Sequence, residues 1–464
     1  MEFIENKVFD EIQIGDSVSL TRTLTIEDIR LFALVSGDVN PTHMDTEYVE
    51  VQENHKISGH SLWTGTLLSS LLGNQLPGPG TVYREQNLQF KRQVFLGETI
   101  IVTITVKEKH ADQLITFDCH CENQDGELIY TGCANVYAPL EKIKRPRAML
   151  PEIHINMPGA QLERLVKMTE KFEPIRMAVV HPVDTNSFMG AIDAAKANLI
   201  VPVLFGPLSK IAAVAEQEGV NLDDYEVIDT EHSHEAAAKA VAMARSGDVE
   251  AIMKGSLHTD ELMHEAVRKD RGITSARRMS HVFLMDVPTY PRPLMVTDAA
   301  INIEPNLETK RDIVQNAIEL AHALGVDEPK VALLSAVETV NSKIRSTLEA
   351  AALCKMADRR QITGGLVDGP LAFDNAVSTE AAEIKKITSY VAGRADILVA
   401  PDLESGNMVA KQLEYLADAQ SSGIVLGARV PIALTSRADS VLSRMASCAL
   451  ALLLVRNKKP QIDR

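Results

Sequence analysis

Residues 61–72 read SLWTGTLLSSLL and residues 99–106 read TIIVTITV; together these two strings decide the fold of the first third of the chain. The first is apolar almost all round, which marks a helix buried on every side rather than an amphipathic one. The second is an unbroken β-branched run, a strand signal. Residues 114–121 and 128–137 read the same way. A second helix opens at Thr25, with Asp28 three residues on as an acidic variant of the capping box, and runs toward Ser36. One buried helix among several long strands predicts an α+β domain in which a sheet wraps around a helix.

Outward from this core, the pattern changes near residue 145. Residues 142–151 (KIKRPRAMLP) hold two prolines and four basic side chains and read as a linker. The organisation expected is therefore a domain over 1–141, a linker over 142–152 and a second domain over 153–464. Past the linker, short apolar runs recur at 177–180, 201–205, 226–228, 251–253, 331–334, 397–400, 424–426 and 431–434. Helical stretches such as 233–245 and 310–323 separate many of them. That alternation predicts an α/β domain with a parallel sheet, helices on both faces and ligand sites at the carboxyl ends of strands. About 300 residues is large for one core, so two lobes with a cleft are expected.

The 464 residues carry a net charge of −16. Residues 1–150 hold 13 basic and 21 acidic side chains and the rest hold 34 and 42, so each part carries −8. A generally basic nucleic-acid surface is excluded. The four-charge run in the linker contains no aromatic for base stacking and reads as solvated chain. Cys119 and Cys121, two apart in an alternating segment, share one strand face. No C-x-x-C occurs among the five cysteines, so buried thiols are expected rather than a zinc ribbon or redox pair. The start, MEFIENKVFDE, has no apolar core of a secretory signal. The longest apolar run, 448–455, is shorter than the roughly 20 residues a membrane span needs. A cytoplasmic enzyme in a reducing environment follows as the expectation.

Directly after the first helix comes Ser36-Gly37-Asp38-Val39-Asn40-Pro41-Thr42-His43. Gly37 and Asn40-Pro41 break the helix and turn the chain. An acid, an amide and an imidazole are thereby brought within six residues. An Asp and a His holding one water can act as an acid/base pair, one taking a proton from water and the other giving one to carbon. An Asx turn beside a surface histidine is the plainer alternative.

The string FALVSGDVNPTHMD, residues 32–45, resembles the signature of the MaoC-like, hydratase-2 type (R)-specific enoyl-CoA hydratases. The resemblance continues through 60–80 (HSLWTGTLLSSLLGNQLPGPG) and 83–97 (YREQNLQFKRQVFLG) and covers nearly all of 10–138. It implies a hot-dog fold, a long central helix wrapped by an antiparallel sheet, and dimerisation through that fold. It also implies that Asp38 and His43 are the catalytic pair, that Asn40 orients the turn, and that Ser69 lies near the substrate. The backbone N–H of Ser61 would stabilise enolate charge on the thioester oxygen, as a helix N-terminus suits. The family has glycine where this chain has Ser61.

In the second domain, polar strings flank apolar runs: 253–259 (MKGSLHT), 275–281 (SARRMSH), 297–300 (TDAA), 368–374 (DGPLAFD), 401–407 (PDLESGN) and 435–440 (TSRADS). Hydroxyls, N–H groups and guanidinium suit an anionic, phosphate-bearing ligand. Ordinary caps and turns would use the same residue types. These strings resemble the phosphate acetyl/butyryl transferase family, through SARRMSHVF (275–283), TDAAINIEP (297–305), DGPLAFDNAVS (368–378), APDLESGNMVAKQL (400–413) and LTSRADS (434–440). The resemblance spans about 160–455. It implies two α/β lobes related to the isocitrate dehydrogenase fold, and exchange of CoA and orthophosphate on an acyl group. Arg437 would hold phosphate, and Ser436 would hydrogen-bond carbonyl or phosphate. Asp439, in a shorter loop than in the family's acetyltransferases, stands nearest to the proposed thiol base. Lys254, Arg277 and Arg278 are further anion-binding candidates.

The expectation is a bifunctional enzyme. One part hydrates trans-2-enoyl-CoA to (R)-3-hydroxyacyl-CoA. The other interconverts acyl-CoA plus phosphate with acyl phosphate plus CoA, acetyl being the acyl group, without a metal or other cofactor. The alternative is a phosphate butyryltransferase carrying a non-catalytic hot-dog scaffold or CoA-binding module. Neither G-x-G-x-x-G nor G-x-x-x-x-G-K-[ST] is present, which speaks against a dehydrogenase and a P-loop NTPase. Partners expected are acyl-CoA, enoyl-CoA and orthophosphate or acyl phosphate, in a homo-oligomer, with no nucleic acid and no membrane.

Overall fold

The computed structural model describes residues 3–52, 55–148, 160–435 and 440–457. The chain divides into two compact units, Met1–Ile155 and Asn156–Arg464.

In the first unit, strands β1 (Phe3–Glu5) and β2 (Ser17–Thr23) precede helices α1 (Ile26–Ser36), α2 (Pro41–Met44), α3 (Thr46–Glu50) and α4 (Ser61–Asn74). Strands β3 (Val82–Phe90), β4 (Thr99–Lys109), β5 (Leu114–Asn123), β6 (Leu128–Tyr137) and β7 (Lys144–Pro146) follow. The five longer strands form an antiparallel sheet in the order β2-β4-β5-β6-β3. Ile100, Val102, Ile104 and Val106, every second residue of β4, are buried with Leu68, Leu71 and Leu72 of α4 in one core. Each fully buried leucine contributes about 1.5–3 kcal/mol. The sheet around a helix is as expected. So are α1 with its capping box and the shared burial of Cys119 and Cys121.

Two details differ from the sequence reading. Helix α4 is not buried all round: Trp63, Gly65, Leu68, Leu71 and Leu72 face the core, while Ser61, Leu62, Thr66 and Ser69 are exposed. A single five-stranded sheet covers only one side of the helix. Likewise β3, at one sheet edge, leaves eight of its nine residues exposed. The second difference is in the stretch read as linker. Lys144–Pro146 pair with Phe3–Glu5 as strand β7. The basic residues there meet acids near the chain start, Lys144 with Glu5 at 3.2 Å and Lys142 with Glu11 at 2.8 Å.

The second unit runs α5 (Ala160–Lys167), β8 (Ile175–Val180), α6 (Thr185–Lys196), β9 (Ile200–Gly206), α7 (Leu208–Gln217), β10 (Glu226–Asp229), α8 (Ser233–Ser246), β11 (Ala251–Lys254), α9 (Thr259–Ala266), β12 (Ser280–Asp286) and β13 (Leu294–Thr297). It continues with α10 (Leu307–Ala323), β14 (Lys330–Leu334), α11 (Arg345–Asp358), β15 (Leu366–Leu371), α12 (Phe373–Val377), α13 (Thr379–Ile384), β16 (Ile397–Val399), α14 (Leu403–Leu416), β17 (Gln420–Leu426), β18 (Ile432–Ala433) and α15 (Val441–Arg456). Its strands form one sheet, β10-β9-β8-β11-β18-β17-β12-β13-β16-β14-β15.

This sheet is mixed, which corrects the expectation of a parallel one. Strand β12 is antiparallel to both β17 and β13, and β17 is antiparallel to β18. No helix lies between β12 and β13 or between β17 and β18. Parallel neighbours need a crossover that such short connections cannot supply. The carboxyl ends of β8, β9, β10, β11 and β18 therefore lie at one edge of the sheet, and those of β13, β14, β15, β16 and β17 at the other. One face carries a single continuous core, and the opposite face carries two separate cores. The split face is the structural form of the expected two lobes. Among the described residues no helix is long and apolar enough to cross a membrane.

Candidate functional site

The first site is built where α1 ends. Thr25 accepts the N–H of Asp28, and the Asp28 carboxylate accepts that of Thr25 and an ion pair from Arg22 at 2.6 Å. The helix stops at Gly37 with φ of 74°, a left-handed conformation that glycine adopts without a Cβ clash. The Asp38 N–H then donates to Ser36 Oγ, and the Asn40 N–H to Asp38 Oδ1, both at 3.2 Å. Asn40 caps α2 by accepting the Thr42 N–H at 3.2 Å and the Thr42 hydroxyl at 3.1 Å. Pro41 takes the first helical position, where its missing N–H costs nothing.

These turns deliver His43, buried, to a fixed place. Its Nδ1 lies 2.7 Å from the carbonyl oxygen of Ser58. A carbonyl only accepts, so Nδ1 carries a ring hydrogen, and in the neutral tautomer the lone pair is then on Nε2. Asp38 keeps half of its side chain exposed. A third residue, which sequence reasoning did not single out, joins them. His60 is buried just ahead of α4, with Nε2 2.9 Å from the backbone carbonyl of Asp38 and 4.0 Å from Asp38 Oδ2. Its ring lies 3.9 Å from that of His43 and 4.9 Å from that of Phe32. One nitrogen from each imidazole and one oxygen of Asp38 all lie within 4.8 Å of one another.

Two imidazoles and a carboxylate have the composition of a cation site. Here, however, Nε2 of His60, which lies 4.0 Å from the Asp38 carboxylate, is already committed to a backbone carbonyl, and the two rings pack against each other at a 36° tilt. The arrangement suits proton transfer: a half-exposed carboxylate and an imidazole this close can share one water. Ser61 opens α4 with no side-chain cap, so its N–H is free at the helix N-terminus. Ser69 lies on the exposed face, about 12 Å further along the helix axis at 1.5 Å per residue.

In the second unit, Ser436, Arg437 and Asp439 lie outside the described residues. On the strand side, the Thr435 hydroxyl accepts from Arg444 Nη1 at 2.8 Å, and its carbonyl accepts from Lys254 Nζ at 3.2 Å. Both cations are buried. On the helix side, Ser440 caps α15 by accepting the Ser443 N–H at 3.2 Å. The segment thus connects the carboxyl end of β18 to the N-terminus of a 16-residue helix, a place suited to an anion. Nearby Asp184 is raised by burial but lowered further by hydrogen bonds from Ser187 and Ser256 and by Arg444, so it ends below the ordinary carboxylate range.

The other candidates are spent differently. Lys254 holds backbone carbonyls at the end of β11. Arg277 pairs with Glu319 at 2.6 Å. Arg278 is exposed, while its main chain is held by Asp312 and Asn316. The six polar strings do not share one edge of the sheet: 253–259 and 435–440 leave from one, and 275–281, 297–300, 368–374 and 401–407 gather at the other. Part of the latter group builds loops. The Asp298 carboxylate accepts the N–H groups of Ala300, Ile301 and Asn302, and burial still raises it above the ordinary range. Asp402 caps α14 through Ser405. The same edge opens a cleft of about 650 Å³ beside β14 and β16, lined by Ser335, Lys343, Arg345, Ser346, Asp402 and Ser405 among others. At its base, buried Lys310 pairs with Glu349, which also accepts from Arg345 Nε at 2.7 Å.

Residues 231–452 match the family model for phosphate acetyl/butyryl transferase, and residues 11–118 match that for a MaoC-like domain. The chain is 60% identical over 299 residues to the phosphate acetyltransferase of Rickettsia felis, a match covering 64% of this chain and 86% of that one. It is 58% identical over 300 residues to the phosphate acetyltransferase of Rhizobium meliloti, covering 65% and 95%. A solved branched-chain phosphotransacylase from Enterococcus faecalis is 28% identical, with a TM-score of 0.54, covering 61% of this chain and 99% of that one. The chain belongs to the phosphate acetyl/butyryl transferase family, with a MaoC-like domain fused ahead of the transferase domain.

Proposed function

We propose that this chain is a bifunctional CoA-thioester enzyme: its first domain hydrates trans-2-enoyl-CoA and its second exchanges CoA and orthophosphate on an acetyl group. The juxtaposition of Asp38 and His43, with the imidazole hydrogen held on Nδ1 by Ser58, carries the hydratase reading. Water is held between carboxylate and imidazole. As its oxygen bonds the β-carbon, one group of the pair takes its proton, and the pair returns a proton to the α-carbon, so H and OH are added across the double bond. The free N–H of Ser61 faces the thioester oxygen as enolate charge builds.

In the transferase half, the CoA thiol gives up its proton and its sulfur bonds the acyl carbon. The carbon–oxygen bond to phosphate breaks and orthophosphate leaves. Arg437 offsets phosphate charge, Ser436 donates to carbonyl or phosphate, and Asp439 receives the thiol proton. Identity of 58–60% to phosphate acetyltransferases supports the acetyl group. No metal or other cofactor takes part in either reaction. The outer face of α4 and the exposed edge strand β3 support a homodimer through the hot-dog domain. Five free cysteines support a reducing, cytoplasmic location.

The decisive experiment is a panel of acyl-CoAs with phosphate and of enoyl-CoAs with water, read by thiol release and by loss of enoyl absorbance, with and without EDTA. Release from acetyl-CoA together with hydration of crotonyl-CoA, both insensitive to EDTA, is the expected result. Preference for butyryl-CoA with no hydration would replace this reading with a butyryltransferase carrying a non-catalytic module.

A further inference from the structure

His60 makes two contacts at once to the pair proposed to hydrate the enoyl thioester. Its Nε2 lies 2.9 Å from the Asp38 carbonyl oxygen, which can only accept, so this nitrogen carries the ring hydrogen. Its Nδ1 is buried with no hydrogen-bond partner among the described residues, so the one polar anchor of this ring is the bond to Asp38. The face of the ring packs on His43 at 3.9 Å and on Phe32 at 4.9 Å.

The consequence follows from where each group is anchored. Asp38 stands on a turn held locally by contacts to Ser36 and Asn40. His43 hangs from a helix of four residues. The hydrogen bond from His60 ties the main chain of Asp38 to the start of α4, whose core face is buried in the sheet. The His60 ring, tilted 36° to that of His43, packs against it and limits its rotation, together with the carbonyl and hydroxyl of Ser58. We propose that His60 is a positioning residue that holds the Asp38 carboxylate and the His43 imidazole at the separation one water can bridge. This rests on the hydratase reading above, and misplacement of such a pair lowers turnover rather than substrate affinity.

The test uses the full-length chain with crotonyl-CoA and three variants, His60→Ala, His60→Gln and His60→Phe. Glutamine can place an N–H near the position of Nε2; phenylalanine fills the space and offers none. His60→Ala should lower kcat at least about tenfold while KM stays within about threefold. His60→Gln should recover to within about threefold of the parent kcat, and His60→Phe should not. Unchanged kcat in His60→Ala overturns the proposal. So does recovery by Phe but not by Gln, which would make His60 a space-filler. Failure of the hydratase reading looks different: the parent chain itself would leave crotonyl-CoA intact, and the proposal falls with it.

Discussion

The guanidinium of Arg444, buried within α15, donates to the hydroxyl of Thr435 at 2.8 Å, and this contact fixes the last described residue before Ser436 and Arg437. Replacing Arg444 by Met keeps the stem but leaves Thr435 held by Lys254 alone among these two cations. The expected result is at least about a tenfold loss of phosphate-dependent CoA release, with crotonyl-CoA hydration unchanged. Loss of a buried charged hydrogen bond should also lower the urea midpoint of the second domain, by an amount corresponding to about 2–4 kcal/mol. An Arg444→Met chain with parental transferase activity would show that Thr435 needs no such support.

The two activities should separate cleanly by substitution. Asp38→Asn keeps the shape of the turn and removes the acid/base function. Hydration of crotonyl-CoA should fall by about two to four orders of magnitude. Phosphate-dependent release of CoA should not change. Arg437→Ala should produce the converse pattern. Loss of both activities from either substitution would instead show that the domains are coupled.

Acid stability should depend on His281. This residue is fully buried on β12 with neither ring nitrogen hydrogen-bonded among the described residues, and burial pushes its pKa down to about 3. In the unfolded chain an ordinary histidine titrates near 6.5. Between those values the unfolded state binds a proton that the native state refuses, so stability falls as pH drops below about 6.5, by up to about 1.4 kcal/mol per pH unit. His281→Leu should flatten this limb of the stability curve between pH 6.5 and 4, measured as the urea midpoint against pH. A curve parallel to the parent's would mean that other groups set the acid limit.

Leu68 is fully buried where α4 meets the sheet of the first domain. Leu68→Ala should destabilise that domain by about 2–5 kcal/mol, because the rigid sheet cannot collapse into the space left. The loss should appear as early melting followed by loss of hydration, with the transferase transition in place. A shift below about 0.5 kcal/mol would mean that the core tolerates the change by repacking.

Much of this molecule could be read from its residues. The capping box at Thr25 and Asp28, the alternation of β4 and the paired burial of Cys119 and Cys121 follow from rules of period and hydrogen bonding that act within a few residues. What escaped is non-local. The exposed face of α4 depends on how many strands one chain supplies to cover it. The antiparallel seam around β12 was signalled only by the short connections from β12 to β13 and from β17 to β18. In the first site, Asp38 and His43 lie five positions apart in one turn-forming string and stand out. His60 lies 17 residues beyond His43 and meets it only through folding. Arg444 did leave a trace, as a lone guanidinium in the apolar run VLSRMASCALALLLV at 441–455. Lys310 and Glu349 left none, since each looks like ordinary helix surface until α10 and α11 pack.

The pairing of Phe3–Glu5 with Lys144–Pro146 brings the entry and exit of the MaoC-like module side by side. Asn6 rivets the seam: it donates to the Glu141 carbonyl and accepts from the Ile143 N–H, both at 2.8 Å. A recombinant fragment trimmed at residue 141 would lose this clasp and fray from both termini, whereas one extended past Pro146 would retain it. The same proximity makes the module a natural subject for circular permutation, with a short peptide bridging its old ends and a new opening cut in a distant loop such as that around Gly126.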